Sequence, residues 1–280
     1  MSDPRSCTAL RNGPRWLASL FALACAALAT QPSHATRAPG GPPVSEHFVG
    51  AAYDQEDGRL LYREEHWVVV EAARMTRLVL YQCPNGAPFA RKWVRGAIDD
   101  PAPDFELEDR RNGMRQGVRT QGATREMYSQ RNTAEPLRTA ALSPRPNQII
   151  DAGFDAYVRE HWSQLTASED PVIAFLVPSR LRDYELEVDT GQRQYEGSRM
   201  LRLRLKLDAW YGFAAPSIQL LYDLEQRRLR LYEGLSDLRD ASGRSMRVRI
   251  EFAAHDHKDG ATAADQSRAA AQPLVSRCDG

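Results

Sequence analysis

Two short stretches of this 280-residue chain bring acids and imidazoles close enough to do chemistry. In Glu64-Glu65-His66-Trp67, Glu64 and His66 are two residues apart, so on a strand they share one face and Glu65 lies on the other. A carboxyl beside an imidazole is the raw material of general acid–base catalysis. No nucleophile and no glycine-rich oxyanion loop adjoins the pair, so the sequence favours a strand with a wet polar face. The second stretch is His255-Asp256-His257-Lys258-Asp259. Two histidines separated by one residue point the same way only on a strand, and a bound metal needs a third ligand and a fixed frame. This stretch borders a polar tail, and no metal site is expected. Ser198, Ser217 and Ser236 have no nucleophile-elbow context, and no glycine-rich loop opens a helix to cradle a nucleotide. His161 reads as packing beside Trp162 or at an apolar margin. No catalytic residue and no cofactor is assigned, and the balance leans away from an enzyme.

Residues that could hold an apolar ligand are better marked. In Leu201-Arg-Leu-Arg-Leu-Lys-Leu207, period two puts Leu201, Leu203, Leu205 and Leu207 on one face and three cations on the other. Met246–Phe252 and Arg228–Tyr232 repeat the pattern. Strict alternation of this kind marks antiparallel sheet with one buried face. Weaker alternation and turn residues place further strands at 58–67, 76–82, 89–94, 105–108, 114–119, 172–177, 183–188 and 218–224. Asp151 reads as an N-cap, and Phe154, Tyr157, Val158, His161, Trp162 and Leu165 recur at helical spacing. The fold expected is therefore mainly β: a curved antiparallel sheet or half-barrel of about ten strands with one central amphipathic helix. Trp210, Tyr211 and Phe213, between two strong strands, suit either the rim of a cavity or a plug at the barrel end.

The first 35 residues are ordered as a secretory signal. Arg5, Arg11 and Arg15 precede an apolar run from Trp16 to Ala29, and Ser33-His34-Ala35 offers small residues for cleavage. Cys25 lies within that run, but Ala22 stands where a lipoprotein signal places leucine. A soluble periplasmic protein is thus expected, with an outer-membrane lipoprotein anchored at Cys25 as the lesser alternative. Residues 36–45 are a Pro/Gly linker, 46–252 the β half-barrel domain and 253–280 a mobile C-terminal tail. Lys+Arg and Asp+Glu balance at 37 each; removing residues 1–35 takes away three arginines and one aspartate, for a net charge of −2. That composition excludes a nucleic-acid footprint and any strong pull toward anionic membrane, leaving only transient membrane contact. Cys83 and Cys278 survive cleavage. In an oxidising compartment they suggest a disulfide, with two free thiols as the alternative.

Six segments carry a resemblance: Phe89–Lys92, Ala102–Phe105, Asp151–Phe154, Phe175–Arg180, Gly234–Asp240 and Arg247–Ile250. Through them the chain is similar, over most of residues 58–252, to an uncharacterised family of exported proteobacterial proteins. That likeness brings no activity with it. In architecture alone, strands-helix-strands resembles the periplasmic lipoprotein carriers of the Lol type, half-barrels that hold acyl chains under a helical lid. The function expected is a periplasmic binding or carrier module for a lipid or other apolar ligand. Leu201, Leu203, Leu205 and Leu207 would line it, and Phe154, Trp162, Trp210, Tyr211 and Phe213 would gate it. The alternatives are a structural or partner-binding envelope protein with a filled barrel and, behind it, a hydrolase using Glu64 and His66. The oligomeric state is left open.

Overall fold

A computed structural model describes residues 44–207, 217–240 and 242–278; the signal segment and most of the linker lie outside them. Among the described residues the chain forms one sheet of sixteen strands. In chain order these are β1 (Glu46–Asp54), β2 (Leu60–Glu71), β3 (Arg74–Gln82), β4 (Pro88–Ala97), β5 (Asp104–Asp109), β6 (Met114–Gln121), β7 (Thr124–Gln130), β8 (Arg138–Ala141) and β9 (Gln148–Ile149). Two helices follow, α1 (Gly153–Glu160) and α2 (Trp162–Thr166). Then come β10 (Val172–Val177), β11 (Arg182–Tyr195), β12 (Ser198–Leu207), β13 (Ile218–Asp223), β14 (Leu229–Arg239), β15 (Ser245–Glu251) and β16 (Lys258–Asp259), with α3 (Ala263–Ala270) last.

Two antiparallel meanders build the sheet. β1 to β8 lie side by side in chain order, as do β10 to β15, and β1 pairs with β15 to weld the two halves. The short β9 adds parallel to β10 at one end of the sheet. The sheet curls until the 3-10 turn Pro178–Arg180 after β10 packs on β6 and β7 of the opposite half. The class is mainly β with a curved antiparallel sheet, and it holds more strands than the ten expected. Five were passed over, among them β1. Its sequence Glu-His-Phe-Val-Gly-Ala-Ala-Tyr-Asp carries no clean alternation of apolar and polar residues.

The central helix is broken in two at His161, whose ring stacks on Tyr157 at 4.2 Å and donates from Nδ1 to the Tyr157 carbonyl. Asp151 is not its cap. Ala152 holds that position without any side-chain cap bond, and Asp151 sits at φ 49 with its carboxylate on Lys92. Gly153 opens the helix because a Cβ there would lie 2.1 Å from the Pro101 carbonyl oxygen. Phe154, Tyr157, Val158, Trp162 and Leu165 pack on Leu201, Leu203 and Leu205 of β12 and on Leu220 and Tyr222 of β13.

The segment 253–278 is ordered, where composition predicts a mobile tail. β16 pairs with the start of β1, and α3 lies on the outer face of β2 and β3. Thr262 and Asp265 form a reciprocal capping box at its start. Ala269 and Ala270 cover Trp67, Leu78, Leu80 and Trp93, while Gln266 donates to the Trp67 and Thr76 carbonyls. A disulfide joins Cys278 to Cys83, with Cα atoms 5.4 Å apart. Low hydrophobicity reads as disorder only when nothing else ties the segment down; here a covalent bond and a sheet face both do.

Candidate functional site: a cavity with buried charges

The curled sheet encloses a cavity of about 1060 Å³. On β2 the burial alternates through Tyr62, Glu64 and His66, so these residues point inward while Arg63 and Glu65 point out. β3 contributes Arg77 and Tyr81 to the lining, and β4 contributes Lys92. The pair Glu64 and His66 therefore lies inside the barrel, only 9% and 6% exposed, and not on a wet face. Alternation reveals that a strand has two faces without saying which one the closure turns inward. On β2 the outward face is the one that α3 covers at Trp67.

Inside, cations and carboxylates are arranged in pairs. Lys92 Nζ donates to Asp151 Oδ1 and to Asp237 Oδ2, both at 2.6 Å. Arg77 Nη2 donates to Asp155 Oδ2 at 2.8 Å, and the Tyr222 hydroxyl donates to Asp155 Oδ1 at 2.8 Å. Asp151 and Asp155 flank the first turn of α1, so these contacts tie the helix to the sheet. Burial opposes the charge on Lys92, but Asp151 and Asp237 outweigh it and hold the ammonium protonated. Burial likewise opposes the Asp155 carboxylate, and Arg77 overcomes it and keeps the group low. Three of the resemblance segments meet here: Phe89–Lys92, Asp151–Phe154 and Gly234–Asp240 supply Lys92, Asp151 and Asp237.

Glu64 and His66, which face each other, behave differently. Burial, against the pull of Lys92, raises Glu64 from 4.5 to about 7. Burial also pushes His66 well below its ordinary range, reinforced by Arg77 and Lys92. His66 Nε2 lies 3.2 Å from Glu64 Oε2. Phe48 of β1 stacks on His66 at 4.4 Å and on His257 at 5.3 Å, forming a column at the wall. The Tyr62 hydroxyl is 2.8 Å from Ser236 Oγ, which also accepts from the Leu238 amide. Burial pushes the Tyr62 hydroxyl well above its ordinary value, so it cannot serve Ser236 as a base.

Apolar side chains line the cavity as well. Leu205 and Leu207 of β12, Leu220 of β13, Phe154 of α1, and Ile250 with Phe252 line it. Of the residues the sequence singles out for a ligand, Leu205, Leu207 and Phe154 face the cavity. Leu201, Leu203 and Trp162 are sealed in the cluster under the helices, and the cavity lining does not include them. Trp210, Tyr211 and Phe213 lie outside the described residues. The charged cluster carries no sequence signal as a unit, because its members are spread over β2, β3, β4, β14 and the start of α1. Only Glu64 and His66 carried a local signal.

Near one mouth, Glu46, His257 and Asp259 place one potential ligand atom each within 4.8 Å of one another. Arg228 Nη2 lies 2.6 Å from Asp259 Oδ1 and 3.7 Å from Glu46 Oε2, so a guanidinium already balances these carboxylates. Among the described residues no helix is long and apolar enough to cross a membrane.

No protein-family model matches this chain, and no curated protein matches it. Among solved structures it is similar to a β-barrel-like protein of a domain of unknown function, DUF1849, from Brucella abortus. The TM-score is 0.46 at 8% identity, covering 75% of this chain and 98% of that one.

Proposed function

We propose that this protein is a binding or carrier module for an amphiphile, with its chain against the leucines of β12 and β13 and its head toward Lys92, Arg77 and Glu64. The observation that carries the reading is the cavity itself: about 1060 Å³, lined by apolar side chains of β2, β3, β12 and β13 together with buried charged groups of β2, β3 and β4. Small-molecule sites run from about 300 to 1,000 Å³ and combine an apolar lining with a few fixed polar groups. Each methylene buried against Leu205, Leu207 and Leu220 contributes about 0.8 kcal/mol. The export signal and the cysteine pair agree with a site of action in an oxidising compartment such as the periplasm.

A filled barrel serving only as a partner-binding scaffold fits the cavity poorly. Among described residues the large exposed apolar side chains are Leu137, in the loop before β8, Val172 of β10 and Leu235 of β14, which form no common element. A hydrolase fits poorly as well, since Ser236 has no base beside it.

The test is native mass spectrometry of protein purified without detergent, paired with analysis of its organic extract. One equivalent of an amphiphile is expected, and Leu207→Asp is expected to lose it while keeping the wild-type circular dichroism spectrum. Position 207 is chosen over Leu203, where a charge would sit in the sealed cluster and unfold the sheet. An empty extract, together with no uptake of added lauroyl or dodecyl amphiphiles, would overturn the proposal.

A further inference from the structure

We propose that the cavity carries an oxyanion subsite at its Arg77 end, where Arg159 and Arg227 take the carboxylate or phosphate head of an anionic amphiphile. This inference rests on reading the cavity as an amphiphile site, and it carries the head past Arg77 to the end of the charged lining.

Most cations of the lining are already paired. Lys92 is shared by Asp151 and Asp237, Asp155 holds Arg77, and Arg228 lies between Asp259 and Glu46. Arg159 and Arg227 differ: both line the cavity, and among the described residues neither has an ion-pair partner. Arg180 and Arg239 also lack an acid, but they lie at the opposite end. There Arg180 is exposed, and Arg239 donates to the Gly243 carbonyl.

The fold brings the two arginines to one place. Asp155 of α1 accepts from Tyr222 near the end of β13, and the Arg227 guanidinium lies 5.1 Å from the ring of Trp162, just after α1. These contacts run the second half of α1 alongside the turn 224–228 that joins β13 to β14. Arg159 falls between them in the chain, and its charge acts on both Asp155 and Tyr222. The turn is itself pinned. Asp223 Oδ1 accepts from the Glu225 and Gln226 amides, and the Arg227 amide donates to the Asp223 carbonyl. Arg227 is held there at φ 53, a conformation that glycine adopts more easily.

Arg227 makes no side-chain hydrogen bond among the described residues. Its Nε is buried and unpartnered, and its two terminal nitrogens are neither sealed nor bonded. Arg159 uses one nitrogen in a 3.4 Å contact with the Ile98 carbonyl. A guanidinium only donates, so the ligand must bring acceptors. A free fork of this kind is filled by a carboxylate or phosphate through two parallel hydrogen bonds. None of the acids at this end pairs with either arginine. Asp155 and Glu46 are engaged by Arg77, Tyr222, Arg228 and His257, Asp100 accepts from the Ala102 amide, and Asp99 and Glu160 are exposed. An apolar course leads away from the arginines. Leu220 stands opposite Leu203 and Ile218 opposite Leu205 in register, so the side chains facing the cavity run from Leu220 toward Leu207.

The experiment uses probes with chains of equal length, below their micellar concentrations, on the folded mature protein at pH 7.5. Dodecyl phosphate and laurate carry anionic heads, monolauroylglycerol an uncharged one and dodecyltrimethylammonium a cationic one. Calorimetric titration is expected to show the better anionic probe binding about tenfold or more tighter than the other two classes, a gap of about 1.4 kcal/mol. The two anionic probes separate a phosphate from a carboxylate head. Binding of the uncharged or the cationic probe within threefold of the better anionic one overturns the subsite and leaves the amphiphile reading standing. Inorganic phosphate binding as tightly as dodecyl phosphate supports the subsite and overturns the amphiphile reading. No binding of any probe overturns both. In the double variant Arg159→Gln, Arg227→Gln, the anionic probes should fall to within threefold of monolauroylglycerol, whose own affinity is unchanged. An intact anionic preference in that variant, with the wild-type circular dichroism spectrum, refutes the placement.

Discussion

Replacing Glu64 by glutamine should make the protein more stable above neutral pH and leave it nearly unchanged in acid. Glu64 is 9% exposed inside the barrel, and burial raises its carboxyl from 4.5 to about 7. A raised acid favours the folded state fully below pH 4.5, where both states are protonated. That advantage is lost as pH rises toward 7, because the unfolded chain ionises first. At pH 8 the folded state has given up about 3 kcal/mol relative to pH 4. Glutamine keeps the shape of the protonated acid, and its amide donates to His66 Nε2 as the acid does, but it has no charge to desolvate. The gap between Glu64→Gln and wild type should therefore open from near zero at pH 4.5 to about 3 kcal/mol at pH 8. For a domain of this size that corresponds to roughly 6 to 12 °C in Tm. Urea unfolding at half-unit pH intervals, with the slopes compared to confirm a common unfolded state, reads it directly. A gap that stays constant from pH 5 to pH 8 would refute the reasoning, since it would mean Glu64 titrates as a solvated carboxyl.

Two further perturbations test the frame around the cavity. Lys92→Met removes the one cation shared by Asp151 and Asp237 and strands a buried carboxylate, so a loss of about 3 to 5 kcal/mol is expected in urea unfolding. Adding Asp151→Asn should restore part of that loss, and strict additivity of the two changes would argue that the residues do not interact. Cys278→Ser opens a loop of 195 residues, for which chain entropy sets an upper value of about 5 kcal/mol. Amide exchange in α3 should accelerate before any strand of the sheet does. Unchanged protection there would show that Ala269, Ala270 and Gln266 hold the helix without the disulfide.

Periodicity is a local property, and where it was strong it located the elements. The alternation of Leu201–Leu207 is β12, and that of Met246–Phe252 is β15 with the residue after it. The apolar spacing from Phe154 to Leu165 marks the helical segment, and mainly β architecture follows from these strands because a one-faced sheet must bury its apolar side. Weak periodicity hid β1, the strand on which both meanders depend. A pairing between β1 and β15, some two hundred positions apart, leaves no mark on either strand taken alone.

The charged cluster shows the same limit. Glu64 and His66 were legible as sharing a face, because a strand alternates with period two. Whether that face was wet or enclosed depended on which way the sheet curls, and only the tertiary structure decided it. Lys92, Asp151 and Asp237 are ordinary surface residues by type, separated by tens of positions, and they become one ion-paired cluster through the stacking of β4, β14 and the start of α1. Their charges and pairings follow from burial and distance, quantities that a linear order of residues does not contain. Composition likewise marked the C-terminal segment as polar and alanine-rich. What docked it was a sheet face with Trp67 on it and a cysteine far earlier in the chain. The sequence by itself determined which strands have an apolar face and which segment could be helical; closure of the sheet determined what those faces enclose.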